Sequence, residues 1–134
     1  MSLSHESLVV YQRTIEFVVW SSELIAEKQV KGVLLDQYKR AFISIPLNIA
    51  EGSGKYTGRD QARFYDIAKG SALECGACLD VVVAMGIAPV GRVQEGKGAV
   101  RGIVSMLTGL SRSVHADRIS EEPAEYQSRT STST

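Results

Sequence analysis

Net charge is absent from this chain. Its 134 residues carry 15 Lys and Arg against 15 Asp and Glu, so no bulk field draws it toward nucleic acid or a membrane surface. Histidine is scarce, with only His5 and His115, one near each end of the helical body. Cysteine is limited to Cys75 and Cys78. A C-x-x-C on a loop would suggest redox chemistry or zinc, but this one lies inside a long helical pattern and lacks two further ligands. Both thiols are therefore expected as small core residues, with no metal and no cofactor. No E-x-x-H occurs, which removes the carboxylate–histidine metal sites of helix bundles. No apolar run approaches the ~20 residues that span a bilayer, and no basic-then-apolar leader opens the chain, so a cytoplasmic protein without membrane contact is expected.

What is present is helical periodicity, repeated four times. The length suits one domain. Residues 4–28 form the first expected helix, with Leu8, Tyr11, Ile15, Val18 and Ile25 as its buried stripe. Val10, Phe17, Trp20 and Leu24 widen that stripe beyond the needs of one neighbour, and Ser4 or Ser7 is placed to cap the start. Residues 33–51 form the second, with Leu34, Tyr38, Ala41 and Ile45 inward. Pro46 interrupts its hydrogen-bond ladder at ~3 kcal/mol, and because the apolar pattern continues to Ile49 a kink is expected rather than an end.

Gly52, Gly54 and Gly58 make a corner, and Thr57 followed by Asp60 reads as the cap of the third helix, 60–85. Its stripe is Phe64, Ala68, Ser71, Cys75, Cys78, Val82 and Met85, small in the middle so that a facing helix approaches closely. Gly86 and Pro89 stop it. The fourth, 91–115, is weak, because Gly96, Gly98, Gly102 and Gly109 each cost ~1 kcal/mol relative to alanine. Gly98, Gly102, Ser105 and Gly109 recur at helical spacing, so either another helix or a neighbouring subunit must pack on them. Residues 1–115 are thus expected as the bundle, and 116–134 as a polar, disordered tail.

Polar residues gather around the corner. Ser44 and Asn48 precede it; Ser71 and Glu74 follow it. A glycine-rich loop before a helix can hold phosphate, but the spacing fits neither the Walker nor the dinucleotide pattern, and a structural turn is the better reading. Asn48 and Ser71 are expected to face one another through a buried hydrogen bond, and Glu51 and Arg63 to pair or cap the corner. Ser44, Asn48, Glu51, Arg63, Ser71 and Glu74 are therefore assigned as a structural polar motif. Lys55, Arg59, Arg63 and Arg112 are the candidate nucleic-acid contacts, gathered at one end of the body.

SIPLNIAEGSGK at residues 44–55, followed by Arg63-Phe64, then Ala68-Lys69-Gly70-Ser71 and Glu74, resembles the four helix bundle family, also called the 23S ribosomal RNA intervening-sequence protein family. Asn48, Ala50, Glu51, Gly52, Gly54, Arg63, Phe64, Gly70, Ser71 and Glu74 match its pattern. That family includes the accessory variability determinant of diversity-generating retroelements. The resemblance implies an all-α fold: an antiparallel, up-down-up-down, left-handed four-helix bundle, assembled into a homopentameric ring. It also links members to ribosomal RNA, or to nucleic acid and a reverse transcriptase.

Three function classes follow. A non-catalytic oligomeric scaffold or adaptor, bound to itself and to an unidentified protein partner, needs only the extra apolar surface that the first helix supplies. A nucleic-acid-binding accessory protein, acting on ribosomal RNA or on retroelement RNA or DNA, would rely on the corner cations with little aromatic stacking beyond Tyr56. An enzyme would need a base near Glu51 or Glu74, and no histidine lies in reach. The first class is the expectation.

Overall fold

The computed structural model describes residues 3–121, and side-chain surroundings through residue 114. Four helices account for most of it: α1 (Val9–Lys28), α2 (Gly32–Ser53), α3 (Gly58–Ala84) and α4 (Val90–Glu121). α1 packs on α2 and α4, and α3 packs on the same two. Side-chain contacts join the turn before α1 to the end of α2 through Ser4 and Ser53, the second half of α2 to the middle of α3 through Ser44 and Ser71, and the first part of α3 to the later part of α4 through Asp66 and Ser111. α4 continues to Glu121, past the expected end at 115, while the rest of the expected tail, 122–134, lies outside the described residues.

The helix ends follow from local chemistry. Gln29 takes the left-handed conformation (φ 54°) that closes α1, and Gly32 (φ 69°) turns the chain into α2. At the other end of α3, Gly86 (φ 72°) donates to the Val83 carbonyl while Ile87 donates to that of Val82. That pair of bonds satisfies carbonyls the helix leaves free, and glycine takes the positive φ without strain. The expected caps of α1 are not used. The helix starts five residues later than predicted, with Leu8 as its N-cap, and the Ser4 hydroxyl instead bonds Ser53 at 3.0 Å. α2 runs through Pro46, which is buried, so the helix does not end there.

The inward face of α1 differs from the expected one. Val10, Thr14, Phe17, Ser21 and Leu24 are buried, whereas Ile15 and Val19 are exposed. Two hydroxyls in the stripe hid it from an apolar count. Both are satisfied: Thr14 Oγ1 donates to the Tyr11 carbonyl at 2.7 Å, and Ser21 Oγ bonds Tyr38 Oη at 2.6 Å. A paired hydroxyl is tolerated in a core that would reject an orphaned one. Burial pushes the Tyr38 phenol well above its ordinary value, against the opposing effect of the Ser21 bond.

α3 presents Ala62, Tyr65, Ala68, Ala72, Cys75, Leu79 and Val82 to the core; Phe64 is half-buried and Met85 is exposed, contrary to expectation. On α4, Val93, Val100, Ile103, Leu107 and Val114 are buried. Gly96 is buried because Trp20 of α1 lies directly against it, leaving no room for a side chain. Trp20 is held there by stacking on Phe17 (5.9 Å between centroids, 14° between planes) and by the Arg92 guanidinium 5.4 Å from its ring. Arg92 in turn bonds Glu27 at 2.8 Å, which holds the Glu27 carboxyl below its ordinary value.

Candidate site at the α2–α3 corner

Gly52 sets the corner. A Cβ there would lie 2.9 Å from Tyr65 Cε1, 3.0 Å from Phe64 Cβ and 3.1 Å from the Gln61 carbonyl oxygen, so the last turn of α2 meets the first turns of α3 almost backbone to backbone. Thr57 then caps α3 as its position predicted: its Oγ1 accepts from the Asp60 amide at 3.2 Å. Asp60 adds a negative charge to the positive end of the helix dipole.

The polar motif is joined differently from the expected pairing. Ser44 Oγ accepts from Asn48 Nδ2 and from Ser71 Oγ, both at 2.9 Å, and Asn48 Nδ2 also reaches the Ser44 carbonyl at 2.9 Å. Asn48 and Ser71 are thus tied through Ser44, because a helical i, i+4 partner is nearer to Asn48 than anything across the interface. Glu51 likewise takes Lys55, four residues on, at 3.1 Å rather than Arg63. Arg63 and Lys55 instead flank Phe64, each 5.1 Å from its ring centroid, a cation–π pairing on a half-buried aromatic. Glu74 is exposed and stands apart from this cluster, on the rim of a groove between α2 and α3 that also borders Lys31 and Cys78.

Of the candidate cations, Arg59 and Arg63 line a shallow depression of about 580 Å³ together with Asp60 and Asp66, so their charge is offset. Ser111 Oγ donates to Asp66 at 3.1 Å, which brings Arg112, its chain neighbour, to this end of the molecule. Tyr56 is fully exposed at the tip. Both cysteines are free and buried; burial first, then the neighbouring charges, raises each thiol above its ordinary value. A thiol so placed is a poor nucleophile and metal ligand. Among the described residues, no three His, Cys, Asp or Glu are grouped to hold a metal, and no helix is long and apolar enough to cross a membrane.

The Trp20–Gly96 contact was not foreseen. Its signal was a glycine that falls in the apolar register of α4, opposite a helix carrying one large aromatic.

Compared with known proteins, the chain matches the profile of the family described as "23S rRNA-intervening sequence protein" over residues 6–109. It belongs to that family. The match covers all of α1, α2 and α3, the corner between α2 and α3, and α4 as far as residue 109. A solved structure with the same fold is that of a protein with unknown function from the S23 ribosomal protein family of Bacteroides thetaiotaomicron. It superposes with a TM-score of 0.71 at 21% identity, covering 77% of this chain and 98% of that one. No curated protein matches the chain. In this family member, then, Ser44, Asn48 and Ser71 bind one another, while Arg59, Arg63 and Tyr56 face solvent at the corner.

Proposed function

We propose that this family member is a non-catalytic oligomeric scaffold or adaptor: an antiparallel, up-down-up-down, left-handed bundle assembled into a homopentameric ring. The opposed numbering of its helix contacts supports the antiparallel course, and short loops suit left-handed bundle packing. The observation that carries assembly is the open stripe on α4. A Cβ at Gly98, Gly102 or Gly109 meets nothing within 4 Å among the described residues. Each of these glycines weakens the helix by ~1 kcal/mol relative to alanine, and the chain's own packing gives no reason for it. The Ser44–Asn48–Ser71 cluster, whose side chains bond one another, and the buried thiols support a role without chemistry.

Light scattering on the dilute purified protein tests this. A mass about five times the 14.5 kDa of the chain is expected. A monomer at every concentration refutes the ring.

A second reading, nucleic-acid binding as an accessory protein for ribosomal RNA or for retroelement RNA or DNA with its reverse transcriptase, is favoured by one observation. Tyr56 is fully exposed between Lys55 and Arg59, the arrangement of a base-stacking platform. Filter binding with generic RNA and duplex DNA would then saturate at low salt and weaken steeply as salt is added. Absence of binding at low salt removes this reading.

A further inference from the structure

We infer that two grooves on opposite faces of the bundle are the two halves of one contact, in which the α1/α4 groove of one copy receives the α2/α3 edge of the next. This rests on the ring proposed above and specifies its surfaces and their register. The α1/α4 groove, of about 410 Å³, has Phe17 and Ile103 in its lining with Trp20 and Met106, and its α4 side is bare at Gly98 and Gly102. The α2/α3 groove, of about 610 Å³, shares no helix with the first and so lies across the bundle from it. Its edge carries side chains with nowhere to go in their own chain: Val33 is 77% exposed, Met85 65% and Val81 42%. One face lacks side chains and the other has a surplus, so the contact is head-to-tail, the kind that closes into a ring.

Charge sets the register. Gly96 lies against Trp20, so Glu95 is level with residue 21 of α1, eight residues or about 12 Å along the axis from Arg13 at the other end of that groove. Ser44 bonds Ser71, so Glu74 is level with residue 41 of α2, ten residues or about 15 Å from Lys31. The Glu27–Arg92 pair puts the α1–α2 and α3–α4 turns at the same end of the bundle, and Lys31 and Glu95 belong to that end. Two copies in the same orientation therefore set Lys31 against the neighbour's acid and Glu74 against its base. An inverted copy would oppose Lys31 to Arg13 and Glu74 to Glu95. Among the described residues Arg13 pairs with Glu16 alone, at 3.3 Å and exposed, which is weak enough to exchange.

Light scattering across a concentration series, with thermal melts as a fold control, tests the assignment on the full chain. Gly102→Leu fills space that is empty in the single chain, so the mass should fall about fivefold while the chain still melts cooperatively, losing only the part of its apparent stability that assembly adds. Val33→Glu, at an exposed position, should act likewise. Lys31→Glu and Glu95→Lys should each weaken assembly about threefold or more at low salt, and the double reversal Lys31→Glu/Glu95→Lys should restore it. Full assembly by Gly102→Leu and Val33→Glu overturns the assignment, as does a double reversal no better than either single one. In those cases the wild type still assembles, whereas a monomeric wild type would show that the ring itself has failed.

Discussion

Replacing Gly52 with alanine should drive α2 and α3 apart at the corner. The added methyl would sit within 3.1 Å of three atoms: a Tyr65 ring carbon, the Phe64 Cβ and the Gln61 carbonyl oxygen. Only the first belongs to a side chain that can swing, and Tyr65 is itself buried, so relief requires moving a helix. Overpacking of this kind costs about 1–3 kcal/mol. Alanine returns up to about 1 kcal/mol of helix propensity in a helix interior and less at Gly52, one residue from the end of α2, leaving a net loss centred on about 1–2 kcal/mol. For a domain of this size that lowers the melting temperature by about 4–8 °C. Gly70→Ala is the matched control. It makes the same chemical change on an exposed position of α3, where a Cβ meets nothing within 4 Å among the described residues, so it should stabilise by up to about 1 kcal/mol. Urea unfolding followed by circular dichroism, at one fixed protein concentration because assembly adds to apparent stability, reads both. A Gly52→Ala midpoint equal to or above that of the wild type would refute the close-approach argument.

Ser44→Ala should cost about 1–2 kcal/mol in the same assay, more than Ser71→Ala, because it strips the acceptor shared by Asn48 and Ser71. Tyr38→Phe leaves the buried Ser21 hydroxyl without its partner and should lose about 1–3 kcal/mol; adding Ser21→Ala should recover part of that, and a purely additive double variant would contradict coupling. The Cys75 thiol and Tyr38 phenol are both raised by burial from ordinary values of 9.0 and 10.0, so their neutral forms favour the folded state. That contribution is fully present below the unfolded values and is lost as pH climbs above about 9, so urea midpoints should be level below pH 8 and fall beyond it. In native protein the Cys75 thiol should react with iodoacetamide only as fast as the structure opens, and prompt labelling at pH 8 would contradict its burial.

The four helices and both ends of α3 were legible because their signals are local, whereas the start of α1 and the end of α4 were not. Gly86, Gly32 and the Thr57–Asp60 cap act through the backbone within four residues, and each acts as its sequence implies. The inward face of α1 was not, since Thr14 and Ser21 count as polar until their partners, a carbonyl one turn back and a phenol on α2, are known. At the site, the residue types were readable but their pairing was not. Glu51 and Asn48 chose partners four residues away within or just beyond their own helix over partners across the corner, a competition decided by distances no spacing reveals. The glycines of α4 look alike in sequence, yet Gly96 is filled by Trp20 while Gly98, Gly102 and Gly109 are open, because they lie about 200–240° around the helix axis from Gly96.

Trp20 is the one tryptophan of the chain, half-buried on Gly96 at the wall of the α1/α4 groove. The molecule therefore carries its own optical gauge at that spot. Its emission reports a single environment, with one indole edge in solvent and a guanidinium 5.4 Å from its ring. Anything that covers the groove excludes that water and shifts the spectrum to shorter wavelength, without a dye, a tag or a substitution. Contacts made elsewhere on the surface leave the colour unchanged.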